Sequence, residues 1–227
     1  DDAGSVAGMP ATGVTITDDA AAAVTGADVA VDFTLPAALA GNVSACAGHG
    51  VAMVIGTTGR EAADTVAMKE ASASIAMVYG RNMSIGINVL SALARQAGRV
   101  LGDDFDCEIS EAHHRAKVDA PSGTALQLGE LVAAGRGVAL DAVAVFDRHA
   151  EGAARARGSI GFSSVRAGNI AGDHSILFGA DEELIELRHR ALDRAVFARG
   201  ALRAAAWVTN REPGFYSMDD VLGLSGR

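Results

Sequence analysis

The sequence predicts an α/β protein in which a doubly wound parallel sheet is followed by an α+β domain with a mixed sheet. Up to Gly80, short apolar runs alternate with segments of helical character, a pattern typical of parallel strands buried on both faces. Further along the chain, strand-like runs follow one another across short turns, which favours antiparallel or mixed pairing. Only 4% of the residues are aromatic, so the apolar side chains are mostly small enough for closely packed helix-on-sheet layers.

The first part of the chain is predicted to contain three strands separated by two helices. The predicted strands cover residues 29–33, 51–55 and 75–79, and the predicted helices cover residues 36–48 and 60–73. Pro36 suits the first turn of a helix, where the missing N–H group is not needed. Glycine-containing turns, 56–59 and 80–84, follow the second and third strands directly.

The second part is predicted to contain three helices and five strands. The helices cover residues 85–101, 124–134 and 191–208, and the strands cover residues 105–109, 143–146, 159–165, 174–178 and 184–189. Residues 111–123 are predicted to form a polar loop, because Asp119 and Pro121 disfavour a continuous helix. The change of pattern near position 84 is the predicted domain boundary.

Composition excludes several classes of protein. With 19 Lys and Arg against 28 Asp and Glu, the net charge is −9, which argues against nucleic-acid and membrane partners. The uncharged stretch 33–59 is long enough to span a bilayer, but Pro36 and several glycines predict a buried strand, helix and strand instead. Cys46 and Cys107 are not in metal-ligand spacing. Two thiols in a chain of this length suggest a reducing compartment such as the cytoplasm, and a single disulfide between them stays open as the alternative. No signal peptide is expected from the N-terminal pattern.

The densest polar cluster of the chain lies between Glu111 and Thr124. Four groups that are or can be cationic occupy five positions of this acidic chain, namely His113, His114, Arg115 and Lys117. Residues 122–124 then open a helix, where free N–H groups favour an anion. A histidine can transfer a proton near neutral pH, and Lys117 can donate a proton or neutralise a carboxylate. The cluster therefore predicts a site for a small carboxylate substrate.

Two other interpretations of this cluster stay open. Charged loop residues are commonly solvated surface without a function. A metal site is the other alternative, with His113, His114, Glu111 and Asp119 as ligands, although adjacent histidines point in different directions and no His-x₃-His or Cys pair accompanies them. The glycine turns have two interpretations as well, since ligands bind beyond the carboxyl ends of such strands, but each turn could also be a simple tight turn.

The motifs, taken in order, resemble the 4-hydroxy-tetrahydrodipicolinate (dihydrodipicolinate) reductase family. The most specific match is the string EAHHRxKxDAPSGT at 111–124. Further matches occur at 31–34, 54–59, 82–86, 161–162, 165–168 and 215–222. The resemblance thus covers essentially the whole chain.

The resemblance implies a fold, a reaction and an assembly. The fold would be a Rossmann-like dinucleotide-binding domain of residues 1–83 and 195–227, with a substrate-binding and oligomerisation domain of residues 84–194. The reaction would be reduction of 4-hydroxy-tetrahydrodipicolinate to tetrahydrodipicolinate by NADH or NADPH, in lysine and diaminopimelate biosynthesis. The implied assembly is a homotetramer that binds a small dicarboxylate.

The resemblance also implies roles for individual residues. His113 and Lys117 would be catalytic, supplying the proton that accompanies the hydride. His114, Gly123 and Thr124 would hold a substrate carboxylate. The residues implied for cofactor binding are Gly56, Thr57, Thr58, Gly80, Arg81, Asn82 and Met83. No metal ligand is implied.

Two departures from the family pattern alter what can be expected. Ala116 replaces a His or Pro of many members, which should affect loop packing more than chemistry. The sequence also lacks the GxxGxxG turn with which family members begin, and its first residues resemble the loop that follows their second strand. We therefore expect the first βαβ unit, with its pyrophosphate-binding turn, to be missing. A catalytically inactive module that binds dicarboxylates or serves assembly is the alternative function.

Overall fold

The computed structural model describes residues 1–59, 62–151 and 154–224, which form two compact units. The first unit contains Asp1–Gly80 and the described residues from Ala201 onward, and the second is Arg81–Gly200. One unit contains a parallel sheet and the other a mixed sheet, so the predicted fold class is confirmed. The domain bounds inferred from the sequence stay a prediction.

The first unit is built on four parallel strands. They are β1 (Val29–Asp32), β2 (Ala52–Ile55), β3 (Ala76–Tyr79) and β9 (Gly214–Ser217), in the order β1-β2-β3-β9. The helices are α1 (Ala3–Val6), α2 (Ala20–Val24), α3 (Pro36–His49), α4 (Ala62–Ala71) and α9 (Met218–Leu222), and α8 (Ala195–Val208) crosses the division between the units. The predicted start of α4 at residue 60 lies outside the described residues.

Helix α3 shows how the local sequence fixes this unit. Pro36 stands in its first turn, and Gly50 ends it with φ of 66°, in the left-handed region that glycine adopts without a steric penalty. Buried residues of α3, such as Leu39 and Val43, pack with Met53 and Ile55 of β2. The uncharged stretch thus forms a helix and a strand of a sheet layer, and none of the described helices is long and apolar enough to cross a membrane.

The second unit is built on five strands of mixed direction. They are β4 (Asp106–His113), β5 (Ala144–Val145), β6 (Ile160–Arg166), β7 (Gly172–Gly179) and β8 (Leu184–Ala191), in the order β5-β6-β4-β7-β8. Strand β4 pairs parallel with β6 and antiparallel with β7. The helices are α5 (Ile85–Leu101), α6 (Gly123–Gly135), α7 (Arg148–Glu151) and a 3₁₀ turn at Leu140–Ala142. Apolar residues of α5 and α6 form one core with the inner face of the sheet.

Three predicted elements need correction. Strand β4 does not end at Ile109 but continues through His113, because β6 and β7 flank it and pair with its polar end as well. Strand β8 continues to Ala191, where it still pairs with β7, so the closing helix begins at Ala195 rather than at residue 191. The C-terminal tail forms β9, which pairs with β3, and a short helix.

Candidate active site

The polar end of β4 gathers four ionisable side chains on the inner face of the mixed sheet. Glu111 and His113 stand two residues apart and share that face, because side chains alternate along a strand. They are 2% and 9% exposed. In the sheet register, Arg166 of β6 lies opposite His113, and His174 of β7 lies opposite Glu111. The predicted proton-transfer residue is therefore a buried strand residue, and the prediction that it lies on a loop is wrong.

The Glu111 carboxylate is the centre of this group. Arg166 binds it with both terminal nitrogens, Nη1 to Oε2 at 2.8 Å and Nη2 to Oε1 at 2.7 Å. The backbone N–H of Ser122 donates to Oε1 at 3.2 Å, and Nδ1 of His113 lies 2.5 Å from Oε2. Burial alone would raise the pKa of Glu111, but the hydrogen bonds of Arg166 foremost, and then those of Ser164 and His113, outweigh burial and lower the pKa to about 2. The carboxylate is therefore ionised near neutral pH.

His113 is neutral near neutral pH for electrostatic reasons. Burial lowers the pKa of its imidazole, Lys117 and Arg166 lower it further, and the Glu111 carboxylate opposes them. The ring of His174 packs edge-on against that of His113 with centroids 5.1 Å apart. A neutral imidazole can accept a proton at one nitrogen and donate one from the other, so His113 has the chemistry expected of an acid–base group.

Lys117 lies in the turn that follows β4. Its backbone N–H donates to the His114 carbonyl oxygen, and its Nζ lies 2.8 Å from Oδ1 of Asp119. Burial would raise the pKa of Asp119, but the ammonium group of Lys117 and the backbone N–H of Gly123 outweigh it and lower the pKa. The ammonium group of Lys117 thus binds a carboxylate group of the chain itself. This turn can therefore bind a carboxylate.

The start of α6 lies against the same group of residues. The Ser122 hydroxyl oxygen accepts the N–H of Ala125 at 3.1 Å and lies 3.1 Å from Nε2 of His174, so Ser122 caps the helix. Gly123 is exposed and Thr124 is half-buried. The free N–H groups at this helix end provide the partial positive charge that attracts anions.

Of the predicted cofactor residues in the second unit, Asn82 has the clearest link to the predicted substrate residues. Its Nδ2 donates to Oγ1 of Thr124 at 3.1 Å. The Arg81 guanidinium instead forms an exposed ion pair with Glu130 at 2.6 Å. Met83 is 1% exposed, so its side chain is part of the interior.

In the first unit, the predicted cofactor-binding turn at residues 56–59 is bound by the side chain of Asp32. The Thr57 hydroxyl donates to the Asp32 carboxylate, which also accepts Nδ2 of Asn42 at 2.8 Å. Thr57 is therefore buried, whereas Thr58 is exposed. A Cβ atom at Gly56 would lie 2.4 Å from a ring carbon of Phe33, so the Phe33 ring would have to shift to accommodate any other residue there. The N–H group of Gly80 donates to the carbonyl oxygen of Ile55, the residue that precedes this turn. Gly80 therefore lies beside the turn.

Sequence reasoning missed the residues that support these groups. Arg166 was noted only within a matching motif, and His174 only within a predicted strand. The two-residue spacing of Glu111 and His113 was a usable signal, since it places both on one face of a strand. Among the described residues, no group of three or more His, Cys, Asp or Glu side chains could hold a metal ion.

Comparison with known proteins agrees with the resemblance over both units. The family model described as dihydrodipicolinate reductase, N-terminus, matches residues 1–83, and the C-terminus model matches residues 86–222. The chain is 50% identical over 224 residues to 4-hydroxy-tetrahydrodipicolinate reductase of Rhodopseudomonas palustris strain BisA53, covering 99% of the chain and 82% of that relative. The relative from Thiobacillus denitrificans is 52% identical over 223 residues, covering 98% of the chain and 83% of that relative.

Solved structures agree at the level of the fold. Dipicolinate-bound dihydrodipicolinate reductase from Paenisporosarcina sp. TG-14 superposes with a TM-score of 0.68 at 26% identity, over 84% of this chain and 71% of that one. An amine dehydrogenase from Mycobacterium smegmatis gives a TM-score of 0.62 at 14% identity, over 96% of this chain and 84% of that one, and shows likeness of fold alone. The chain therefore belongs to the dihydrodipicolinate reductase family of NAD(P)H-dependent oxidoreductases.

Proposed function

We propose that this chain reduces 4-hydroxy-tetrahydrodipicolinate to tetrahydrodipicolinate with His113 and Lys117 as the proton-transfer residues. The observation that carries the proposal is the end of β4, where a neutral, buried imidazole stands near Lys117 and a capped helix start. Acid–base and anion-binding groups are thereby combined in one unit. The relatives that carry this activity in their names are about half identical to the chain over nearly its whole length.

The substrate carboxylate is proposed to bind at His114, Gly123 and Thr124. Support comes from the exposed start of α6 and from Lys117, whose ammonium group lies 2.8 Å from the carboxylate of Asp119. The ion pair between Lys117 and Asp119 supports the proposal that a carboxylate can bind in this turn. The Paenisporosarcina relative is described as binding dipicolinate, a planar dicarboxylate of the same class.

The residues of the first unit fit a nicotinamide cofactor. The turn at 56–59 follows the carboxyl end of a parallel strand, which is where ligands of open α/β sheets bind. Asp32 holds Thr57 inward, which leaves Thr58 exposed at the tip. We propose Gly56, Thr57, Thr58 and Gly80 as the cofactor-binding residues of this unit. For Arg81, Asn82 and Met83 of the second unit, the same role stays a prediction. When bound, the nicotinamide supplies the hydride, as NADH or NADPH.

Steady-state kinetics test the catalytic roles. We expect His113→Ala and Lys117→Ala each to lower turnover by roughly 100-fold or more, the range typical of lost acid–base catalysis. His114→Ala should chiefly raise the substrate KM, because it removes a binding contact. Oxidation of NADH and of NADPH would be followed for each protein, so that the ratio of kcat/KM values gives the cofactor preference.

Arg115→Ala is the matched control for Lys117→Ala. Arg115 is a cation in the same turn, but its side chain is exposed and has no proposed role. Wild-type turnover in both His113→Ala and Lys117→Ala would overturn the assignment. Equal losses in Lys117→Ala and Arg115→Ala would show that the turn needs positive charge but no proton donor at Lys117.

We also propose a homotetramer in the cytoplasm. On the face of the mixed sheet that points away from α5 and α6, Val165 is 52% exposed and Leu177 is 37% exposed. Exposed apolar surface of this kind is commonly covered by another subunit. The cytoplasmic location is supported by Cys46 and Cys107, which are both free and buried, as suits a reducing compartment. Light scattering of wild type and Val165→Glu tests the assembly, and a monomeric wild type would contradict it.

A further inference from the structure

We infer that Glu111, clamped by Arg166, is the positioning residue that fixes the tautomer of His113 and aligns it with the start of α6. The inference rests on the proposed role of His113 and extends it by naming what prepares the imidazole for proton transfer. Glu111 is not proposed to touch the substrate. Its side chain is fully buried, whereas 11% of the His113 side chain is exposed.

The clamp holds the Glu111 carboxylate in one orientation. A guanidinium that binds both oxygens of a carboxylate allows little rotation, because two parallel hydrogen bonds fix the plane. Arg166 makes both bonds, at 2.7 and 2.8 Å, and is itself anchored by donating to the Asp119 carbonyl oxygen at 2.6 Å. The oxygen Oε2 is therefore held 2.5 Å from the His113 ring.

An ionised carboxylate determines which nitrogen of His113 carries the proton. Because a carboxylate only accepts hydrogen bonds, Nδ1 of His113 must be the donor. In the neutral ring the lone pair then lies on Nε2, which forms no hydrogen bond among the described residues. The nitrogen available for proton transfer is thus Nε2.

The same carboxylate also binds the backbone of the α6 N-cap residue. Oxygen Oε1 accepts the N–H group of Ser122, and Ser122 caps the helix through the N–H of Ala125. The proposed carboxylate residues Gly123 and Thr124 follow directly in the sequence. A shift of Glu111 would therefore displace the proton-transfer group and the anion-binding helix start together.

The charged and titratable groups around His113 come from four segments. They are Glu111 of β4, Arg166 of β6, His174 of β7 and Lys117 of the turn after β4. Burial and His113 itself keep His174 neutral near neutral pH, since its pKa falls to about 4. Glu111 is thus the anion among them that favours the protonated imidazole, and its neutralisation must lower the pKa of His113 further.

The test compares Glu111→Gln with Glu111→Asp and with Glu108→Gln in the intact enzyme. Glu108 lies on the opposite face of β4, where it pairs with Arg148 and Arg155, and it controls for loss of a carboxylate from this strand. Nitrogen-15 NMR of histidine-labelled protein reports the tautomer, and His113→Ala identifies the signal. In Glu111→Gln the amide can donate to Nδ1, so we expect the proton to move to Nε2.

We expect kcat of Glu111→Gln to fall at least 10-fold with a smaller change in KM, and the acidic limb of the pH–rate profile to move to lower pH. Glu111→Asp should retain the Nδ1–H tautomer and lose less activity, and Glu108→Gln should behave as wild type. An unchanged tautomer and pH profile in folded Glu111→Gln would overturn the inference, as would equal losses in Glu108→Gln.

Two further outcomes are decisive. If Glu111→Gln fails to fold, Glu111→Asp takes its place. Because the Asp side chain is shorter, its carboxylate lies farther from His113, which should lower kcat and move the acidic limb of the pH–rate profile to lower pH. A wild-type pH–rate profile in Glu111→Asp would then contradict the inference. An active His113→Ala enzyme would instead remove the proposed function, while the wild-type tautomer would still show whether Glu111 orders the ring.

Discussion

His174 makes folding sensitive to pH. Burial, followed by the repulsion that a protonated His113 would exert, lowers the pKa of His174 from 6.5 to about 4. Because the unfolded chain binds this proton more tightly, the free energy of unfolding must fall as the pH drops from about 6.5 towards 4. Between about pH 7 and pH 5 the expected loss is about 2 kcal/mol. Urea denaturation of wild type and His174→Gln at both pH values measures it, and the variant should lose less stability.

His149→Gln is the control for this pH effect. His149 is exposed on α7, so its replacement should leave the wild-type pH dependence intact. If His174→Gln retained the full loss of stability on acidification, the buried imidazole would not be the group responsible. The effect of Glu111 would remain separable, because its pKa of about 2 places its contribution at lower pH.

At the level of elements, the packing of α5 on α6 depends on two glycines. A Cβ atom at Gly98 would lie 2.6 Å from the Val132 carbonyl oxygen, and one at Gly135 would lie 2.4 Å from the Arg95 carbonyl oxygen. The helices approach so closely only because both positions lack side chains. Since α6 begins at the proposed carboxylate site, this contact also supports the site.

We therefore expect Gly98→Ala to destabilise the protein by about 1–3 kcal/mol, the usual cost of overpacking. Gly41→Ala is its matched counterpart, because Gly41 lies within α3 and a Cβ there would meet no atom within 4 Å. That change should stabilise the protein by roughly 0.5–1 kcal/mol through the better helix propensity of alanine. Thermal unfolding measures both, and a stabilised Gly98→Ala protein would contradict the packing argument.

The strands show which elements the sequence could predict. Strands β2 and β3 were predicted because they are largely buried and read as unbroken apolar runs. Strand β1 lies at the sheet edge, where Val31 is 45% exposed, and it was predicted from its apolar run alone. Strand β4 was predicted only up to Ile109, because its last residues are polar. Its continuation depends on pairing with β6 and β7, and on partners for Glu111 that no local pattern reveals. Short β9 was missed for the same reason, since its partner β3 lies far away in the sequence.

At the scale of the whole molecule, the sequence could name candidate reacting groups but could not show which residues hold them in place. The string at 111–124 identified His113 and Lys117 as candidates. Arg166, which clamps Glu111, lies 55 positions further along the chain. His174 becomes a neighbour of Glu111 only through the register of β4 and β7. Long-range pairing of this kind follows from the sheet topology, which a pattern read along the chain does not contain.

If a dicarboxylate binds at the proposed site, its binding should raise the thermal stability of the whole protein. A ligand that binds only the folded state at 100 times its Kd raises the free energy of unfolding by about 2.7 kcal/mol, which for a chain of this size is roughly 5–10 °C in Tm. We expect dipicolinate to produce this shift despite the net charge of −9, because Lys117 and the start of α6 provide local positive charge. Lys117→Ala should lose most of the shift, whereas Arg115→Ala should keep it. An equal shift in all three proteins, or none in wild type, would place dicarboxylate binding elsewhere or exclude it.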